Sequence, residues 1–144
     1  MREPYTQLYV HLVWSTWDRL PLLTGNVRRM VYACIKSECV KLRAELMAIG
    51  GTEDHVHILA RVPSALPVAA LVKQMKGSSS HLVTHTPEHE SAFKWQGAYG
   101  AFSVSKSLVP FVCSYIRKQE EHHREGTTDR DLEIAWEEDS GLDS

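Results

Sequence analysis

The sequence predicts an α+β fold of the ferredoxin-like (split βαβ) kind: an antiparallel four-stranded sheet with two helices on one face, plus a C-terminal helix carrying a tyrosine. Three observations predict it. Apolar residues alternate at 5–14 and a second strand-like run follows a turn at 99–104, two stretches of helical periodicity lie between those runs, and a hairpin signal separates the two stretches.

From Tyr5 to Trp14 the alternation of Tyr5, Leu8, Val10, Leu12 and Trp14 with polar or mixed partners reads as a first strand. Asp18-Arg19-Leu20-Pro21 is turn-like. Thr24 is placed to cap a helix whose apolar positions Val27, Met30, Val31, Cys34, Ile35 and Leu42 recur at three and four, so it runs to about Arg43. Leu46 to Gly50 and Val56 to Val62 flank Gly51-Thr52-Glu53-Asp54 and read as a hairpin. Ser64 and Pro67 open a second helix with Val68, Leu71, Val72 and Met75 on one side and Lys73 and Lys76 on another. That helix ends in Gly77-Ser78-Ser79-Ser80 or continues a turn or two beyond. Tyr99 to Val104 follows the Trp95-Gln96-Gly97 turn as a fourth strand, and Ser107 is placed to cap a third helix holding Val109, Val112, Cys113, Tyr115, Ile116 and Gln119.

A chain of 144 residues suits one domain, which we place at 1–128, followed by an acidic tail at 129–144. The hydrophobic content of 43% and charged content of 24% are those of an ordinary globular protein. The net charge of −2 conceals an asymmetry. Residues 1–128 hold fifteen Lys and Arg against eleven Asp and Glu, and the remainder hold one against seven, giving +4 for the body and −6 for the tail. The N-terminus shows no basic and apolar leader pattern and no apolar run approaches membrane-spanning length, so the expected location is cytoplasmic. Cys34, Cys39 and Cys113 form neither an even framework nor a CxxC pair, and are expected as reduced, packed thiols.

Two short constellations carry chemistry. In His55-Val56-His57, at the start of the third strand, residues i and i+2 project from one face, so both imidazoles can reach a single metal ion. Two hydrogen-bonded histidines would give the same pattern, and Asp54 would serve either as their orienting partner or as a turn aspartate. Tyr115 and Gln119 stand at i and i+4 and would meet a common site, with Arg117, Lys118, Arg124, His122 and His123 nearby to suit a phosphate. Lys73 and Lys76, with the serine run, read either as a DNA-backbone contact or as a solvated helix face. His11 would share the side of the histidine pair or be a buried structural histidine. His81, His85 and His89 form a stripe that Pro87 interrupts, and no metal is assigned to them.

The chain resembles the single-tyrosine HUH transposases of small insertion sequences, including the repeat-associated tyrosine transposases. The likeness rests on His55-Val56-His57, on His11-Leu12-Val13-Trp14-Ser15-Thr16, on the stretch from Phe93 through Val104, and on Tyr115-Ile116-Arg117-Lys118-Gln119-Glu120-Glu121-His122-His123. It extends to about Thr127. The resemblance implies that Tyr115 is a nucleophile and that His55, His57 and Gln119 hold a divalent metal, Mg2+ or Mn2+. It further implies single-stranded DNA with a hairpin as substrate, for which Lys73, Lys76, Arg117 and Lys118 are the candidate contacts by their charge, and a homodimer in which the histidines of one chain face the tyrosine helix of the other. A phenol is protonated at neutral pH, so its attack on phosphorus calls for a metal at the scissile phosphate. The runner-up reading is a catalytically silent DNA- or RNA-hairpin binder on the same sheet. A hydrolase with a third histidine two residues on is excluded, because that position is Leu59.

Overall fold

The computed structural model describes residues 4–87, 93–129 and 132–133. Its elements are β1 (Leu8–Ser15), α1 (Gly25–Lys41), β2 (Glu45–Gly51), β3 (His55–Val62), α2 (Val68–Thr84), β4 (Gly100–Val104), α3 (Val109–Arg117) and α4 (Gln119–Glu125). The strands form one sheet in the order β2-β3-β1-β4, and every neighbouring pair is antiparallel. This is the predicted split βαβ arrangement. Among the described residues, no helix is long and apolar enough to cross a membrane.

Period-two alternation divides the two central strands between two layers. Leu12 and Trp14 of β1 and Val56, Ile58, Ala60 and Val62 of β3 face α1 and α2, where they pack with Val31, Ile35, Cys39, Leu71, Val72 and Met75. Tyr9 and Leu59 face the other way and pack with Ala48 of β2 and with Val112, Cys113 and Ile116 of α3. The site histidines therefore lie on the face that α3 covers. All three cysteines are free thiols, with Cys39 and Cys113 buried.

The second helix takes the longer of the two courses expected for it and runs through the serine segment to Thr84, with the Ser79 and Ser80 hydroxyls donating to the Met75 and Gly77 carbonyls. Two other features differ from the sequence reading. Ser107 does not cap α3: residues 106–108 make a 3-10 turn, and α3 starts at Val109 with Pro110 in its first turn, where a missing N–H costs nothing. Tyr115 and Gln119 do not share one continuous helix. The Lys118 N–H is divided between the Ser114 and Tyr115 carbonyls, at 3.2 Å each, in a tightened last turn with φ −106° and ψ 25°. α4 then restarts at Gln119 and closes on Gly126, whose φ of 69° a glycine adopts without strain. His89 and Trp136 lie outside the described residues.

Candidate active site

The strand pattern dictates the heart of the site. His55 and His57 leave β3 on the α3 side, with ring centroids 5.1 Å apart, and both are buried. His11 of β1 joins them on the same face, fully buried, with its Nε2 2.8 Å from His57 Nδ1 and its ring stacked on that of His57. Burial, with His57 beside it, drops the His11 pKa to about 3. The two readings offered for His11 are thus both true of it.

His55 is oriented from behind. Its Nδ1 lies 2.8 Å from Asp54 Oδ1 and 2.9 Å from Thr52 Oγ1. The hydrogen bond with His55, aided by the Arg19 guanidinium 3.3 Å away, holds the Asp54 carboxyl below its usual range. Burial disfavours charge on His55, but hydrogen bonds to Asp54, Glu133 and Gln119 outweigh it and raise its pKa to about 9. His57 moves downward, since burial dominates the pull of Glu133.

α3 brings Tyr115 onto the sheet of its own chain. Its ring, only 4% exposed, stands 6.1 Å from that of His57 and stacks on His122 at 4.5 Å. One glycine permits this approach: a Cβ on Gly50 would sit 2.1 Å from the Ile116 carbonyl oxygen. Gly51 serves the β2–β3 hairpin instead, since a Cβ there would sit 2.1 Å from the His55 carbonyl oxygen. Gln119, restarting the chain after the break, is buried and directs Oε1 to within 3.1 Å of both His55 Nε2 and His123 Nε2. Tyr115, His55, His57 and Gln119 are therefore assembled within one chain here, which departs from the shared arrangement that the resemblance implies.

Glu133 completes the cluster and was not foreseen. Its Oε1 lies 3.1 Å from His57 Nε2, 3.2 Å from His123 Nε2 and 3.4 Å from His55 Nε2. Its Oε2 accepts the Tyr115 hydroxyl and, at 3.4 Å, the Gln119 amide, while the Asp129 N–H donates to the phenol oxygen at 2.9 Å. Burial works to raise the Glu133 pKa, yet its bonds to His55, His57 and Tyr115 hold it well below the usual carboxylate range. Burial and Glu133 together push the Tyr115 phenol up to about 12. The acidic composition of the tail was the one available signal, and it did not single out this residue.

The donor set suits a divalent ion. Among the described residues His55, His57 and Glu133 each offer one ligand atom, all within 4.8 Å of one another, and the Gln119 amide oxygen adjoins them. Two imidazole nitrogens with oxygen donors are a common first-row metal environment that also admits Mg2+.

The basic residues divide between two places. Arg117 and Lys118 line a cleft of about 430 Å³ beside the site, together with Arg28, Tyr32 and Arg124. Arg117 there donates to the Met47 carbonyl at 3.2 Å. Lys73 and Lys76 belong to α2, across the sheet from the histidines, on a groove walled by Trp95 and Tyr99. Lys76 donates to the carbonyls of Gln96 and Ala98 at 2.5 and 3.3 Å, and burial lowers its pKa.

A family model described as "Transposase IS200 like" matches residues 4–119. The transposase for insertion sequence element IS200 of Salmonella typhimurium strain LT2 is 25% identical over 122 residues, covering 81% of this chain and 79% of that protein. The ISDra2 transposase TnpA of Deinococcus radiodurans is 25% identical over 118 residues, covering 78% and 84%. A solved structure from Deinococcus radiodurans R1, assigned as a transposase, superposes with a TM-score of 0.64 at 23% identity over 81% of this chain and 93% of that one. A REP-associated tyrosine transposase bound to a REP hairpin also gives 0.64, at 14% identity over 89% and 74%. At these identities the two structures establish a shared fold.

Proposed function

The chain belongs to the IS200-like transposase family, and on that footing we propose that it cuts and rejoins single-stranded DNA through Tyr115, with Mg2+ or Mn2+ held by His55, His57 and Gln119. The observation that carries this reading is the meeting of a buried phenol, two imidazoles and an amide oxygen around one point of the sheet. A structural core would have no use for so many polar groups at one spot.

In the resting arrangement the phenol keeps its proton, since its pKa stands near 12 and its hydroxyl is bonded to Glu133. When bound, the metal supplies positive charge beside a scissile phosphate. Tyr115 Oη then forms a bond to phosphorus as the P–O3′ bond breaks; the phenol gives up its proton and the departing 3′-oxygen takes one up. The products are a 5′-phosphotyrosine and a free 3′-hydroxyl, and a second 3′-hydroxyl reverses the step to join new ends. The phosphodiester energy is conserved in the tyrosyl ester, so no nucleotide cofactor is required.

Arg117 and Lys118, beside the site, are the basic residues best placed for the strand being cut. Lys73 is assigned in this proposal to a separate DNA contact on the α2 side, whereas the Lys76 ammonium is taken up by the Gln96 and Ala98 carbonyls. Hairpin recognition is supported by the fold shared with a transposase bound to a REP hairpin, and the homodimer rests on the family resemblance. The test is a denaturing-gel search for a covalent protein–DNA species using single-stranded hairpin oligonucleotides and Mn2+. Wild type is expected to form it, and Tyr115→Phe to lose it while hairpin affinity stays within a few-fold. Hairpin binding by wild type with no adduct would identify a silent binding module, and an adduct in Tyr115→Phe would move the nucleophile elsewhere.

A further inference from the structure

The two candidate ligand histidines are backed differently. His55 has a carboxylate behind its Nδ1, the usual way in which a ligating imidazole is held in the required tautomer. His57 has a second imidazole there instead, because the β1–β3 register sets His11 opposite Leu59 and brings its ring diagonally over His57. We infer that His11 is a positioning residue that holds His57 Nε2 as a metal-binding nitrogen, through a hydrogen bond whose direction reverses between the empty and the loaded site. The inference rests on the metal-site reading above.

Two neutral rings carry one proton each, and their places can be followed. His11 Nε2 and His57 Nδ1, 2.8 Å apart, share one proton, so one nitrogen donates and the other accepts. In the arrangement described, Glu133 Oε1 stands 3.1 Å from His57 Nε2, and a carboxylate there accepts. His57 then carries its proton on Nε2, its Nδ1 accepts from His11 Nε2–H, and His11 Nδ1 is a bare lone pair. Among the described residues, that Nδ1 is one of two buried side-chain atoms with no hydrogen-bond partner, a state a lone pair bears more easily than an N–H.

For His57 to offer Nε2 to a metal, its proton must sit on Nδ1 and be donated to His11 Nε2. His11 must then carry its own proton on Nδ1, where no partner accepts it, a cost that the metal–nitrogen bond has to offset. Each ring holds one proton before and after: His57 loses one from Nε2, His11 gains one at Nδ1, and the shared proton crosses the 2.8 Å gap. An apolar residue at position 11 would leave His57 Nδ1 buried without an acceptor and favour the tautomer that occupies Nε2. The second imidazole works in either direction, which a carboxylate, an acceptor in both states, does not.

The test uses the full chain. Long-range proton–nitrogen spectra of the histidine rings, recorded before and after saturation with diamagnetic Mg2+, should move His57 from the Nε2–H to the Nδ1–H form and His11 with it. Mn2+ affinity, followed by electron paramagnetic resonance, should weaken by about 10- to 100-fold in His11→Phe. It should return to within a few-fold of wild type in His11→Gln, whose amide oxygen replaces the acceptor. Unchanged His11 resonances while His57 binds, or equal Mn2+ affinity in His11→Phe and wild type, overturns the inference and leaves the metal reading standing. Absence of binding at His57 in wild type overturns the metal reading and the inference with it. The wild-type spectra decide the matter even if His11→Phe fails to fold.

Discussion

Gly50→Ala puts the placement of the tyrosine helix to a quantitative test. The added Cβ would lie 2.1 Å from the Ile116 carbonyl oxygen and 3.0 Å from its carbon, whereas ordinary contact begins at 3.4 Å. The obstacle is helix backbone, which cannot rotate away as a side chain would, so α3 must retreat by about 1.3 Å, with overpacking of this kind costing about 1–3 kcal/mol. Tyr115 precedes Ile116 and moves with it, and a displacement of roughly 1 Å at a reacting atom lowers rate by about 100-fold. The expected result is a Tm lowered by roughly 4 °C per kcal/mol and adduct formation slowed by about 100-fold. Hairpin affinity should be nearly unchanged. Circular dichroism at the assay temperature establishes that the slow variant is folded. Gly97→Ala serves as the control, since a Cβ there meets nothing within 4 Å. Gly50→Ala with wild-type adduct kinetics would refute the claim that this close approach sets the position of Tyr115.

Other outcomes follow from the same geometry. His57→Ala should lose Mn2+ affinity and DNA cleavage together, and a chelator should reproduce the cleavage defect in wild type; cleavage that survives either treatment would defeat the metal assignment. Mixing inactive His57→Ala and Tyr115→Phe chains under subunit exchange should give no recovery, because each site is built from one chain; restored cleavage would mean that the tyrosine helix is exchanged between protomers. Lys76→Ala should leave two carbonyls short of a donor and lower stability by about 1–3 kcal/mol. Hairpin affinity should fall no more than in a neutral surface variant, and a reduced salt slope of binding would instead point to a phosphate contact at Lys76.

What could be read from the sequence was whatever obeys a local period. His55 and His57 shared a face because strands repeat every two residues, and that rule survived intact. Tyr115 and Gln119 were paired by a helical spacing that the break at Lys118 interrupts, yet both still reach Glu133, because the interruption falls after the turn that aims Tyr115. Glu133 could not be read, since it arrives from chain folding back over the site and no periodicity ties it to β3. Lys76 read as a DNA-backbone contact or a solvated cation, and its partial burial depends on where segment 95–99 crosses α2. The role of Gly50 was hidden for a similar reason: a close approach is a property of two distant segments.

The alternation along β1 and β3 carries a consequence for errors in folding. On these strands one parity supplies the apolar core and the other supplies His11, His55 and His57. A slip of one residue in either strand would turn imidazoles into the space between sheet and helices and expose Leu12, Trp14 or Ile58 beneath α3. Such a chain would forfeit its packing at the same moment as its chemistry. Misregistered molecules are therefore removed by their own instability, and the fraction that survives folding is the fraction whose histidines are already in position.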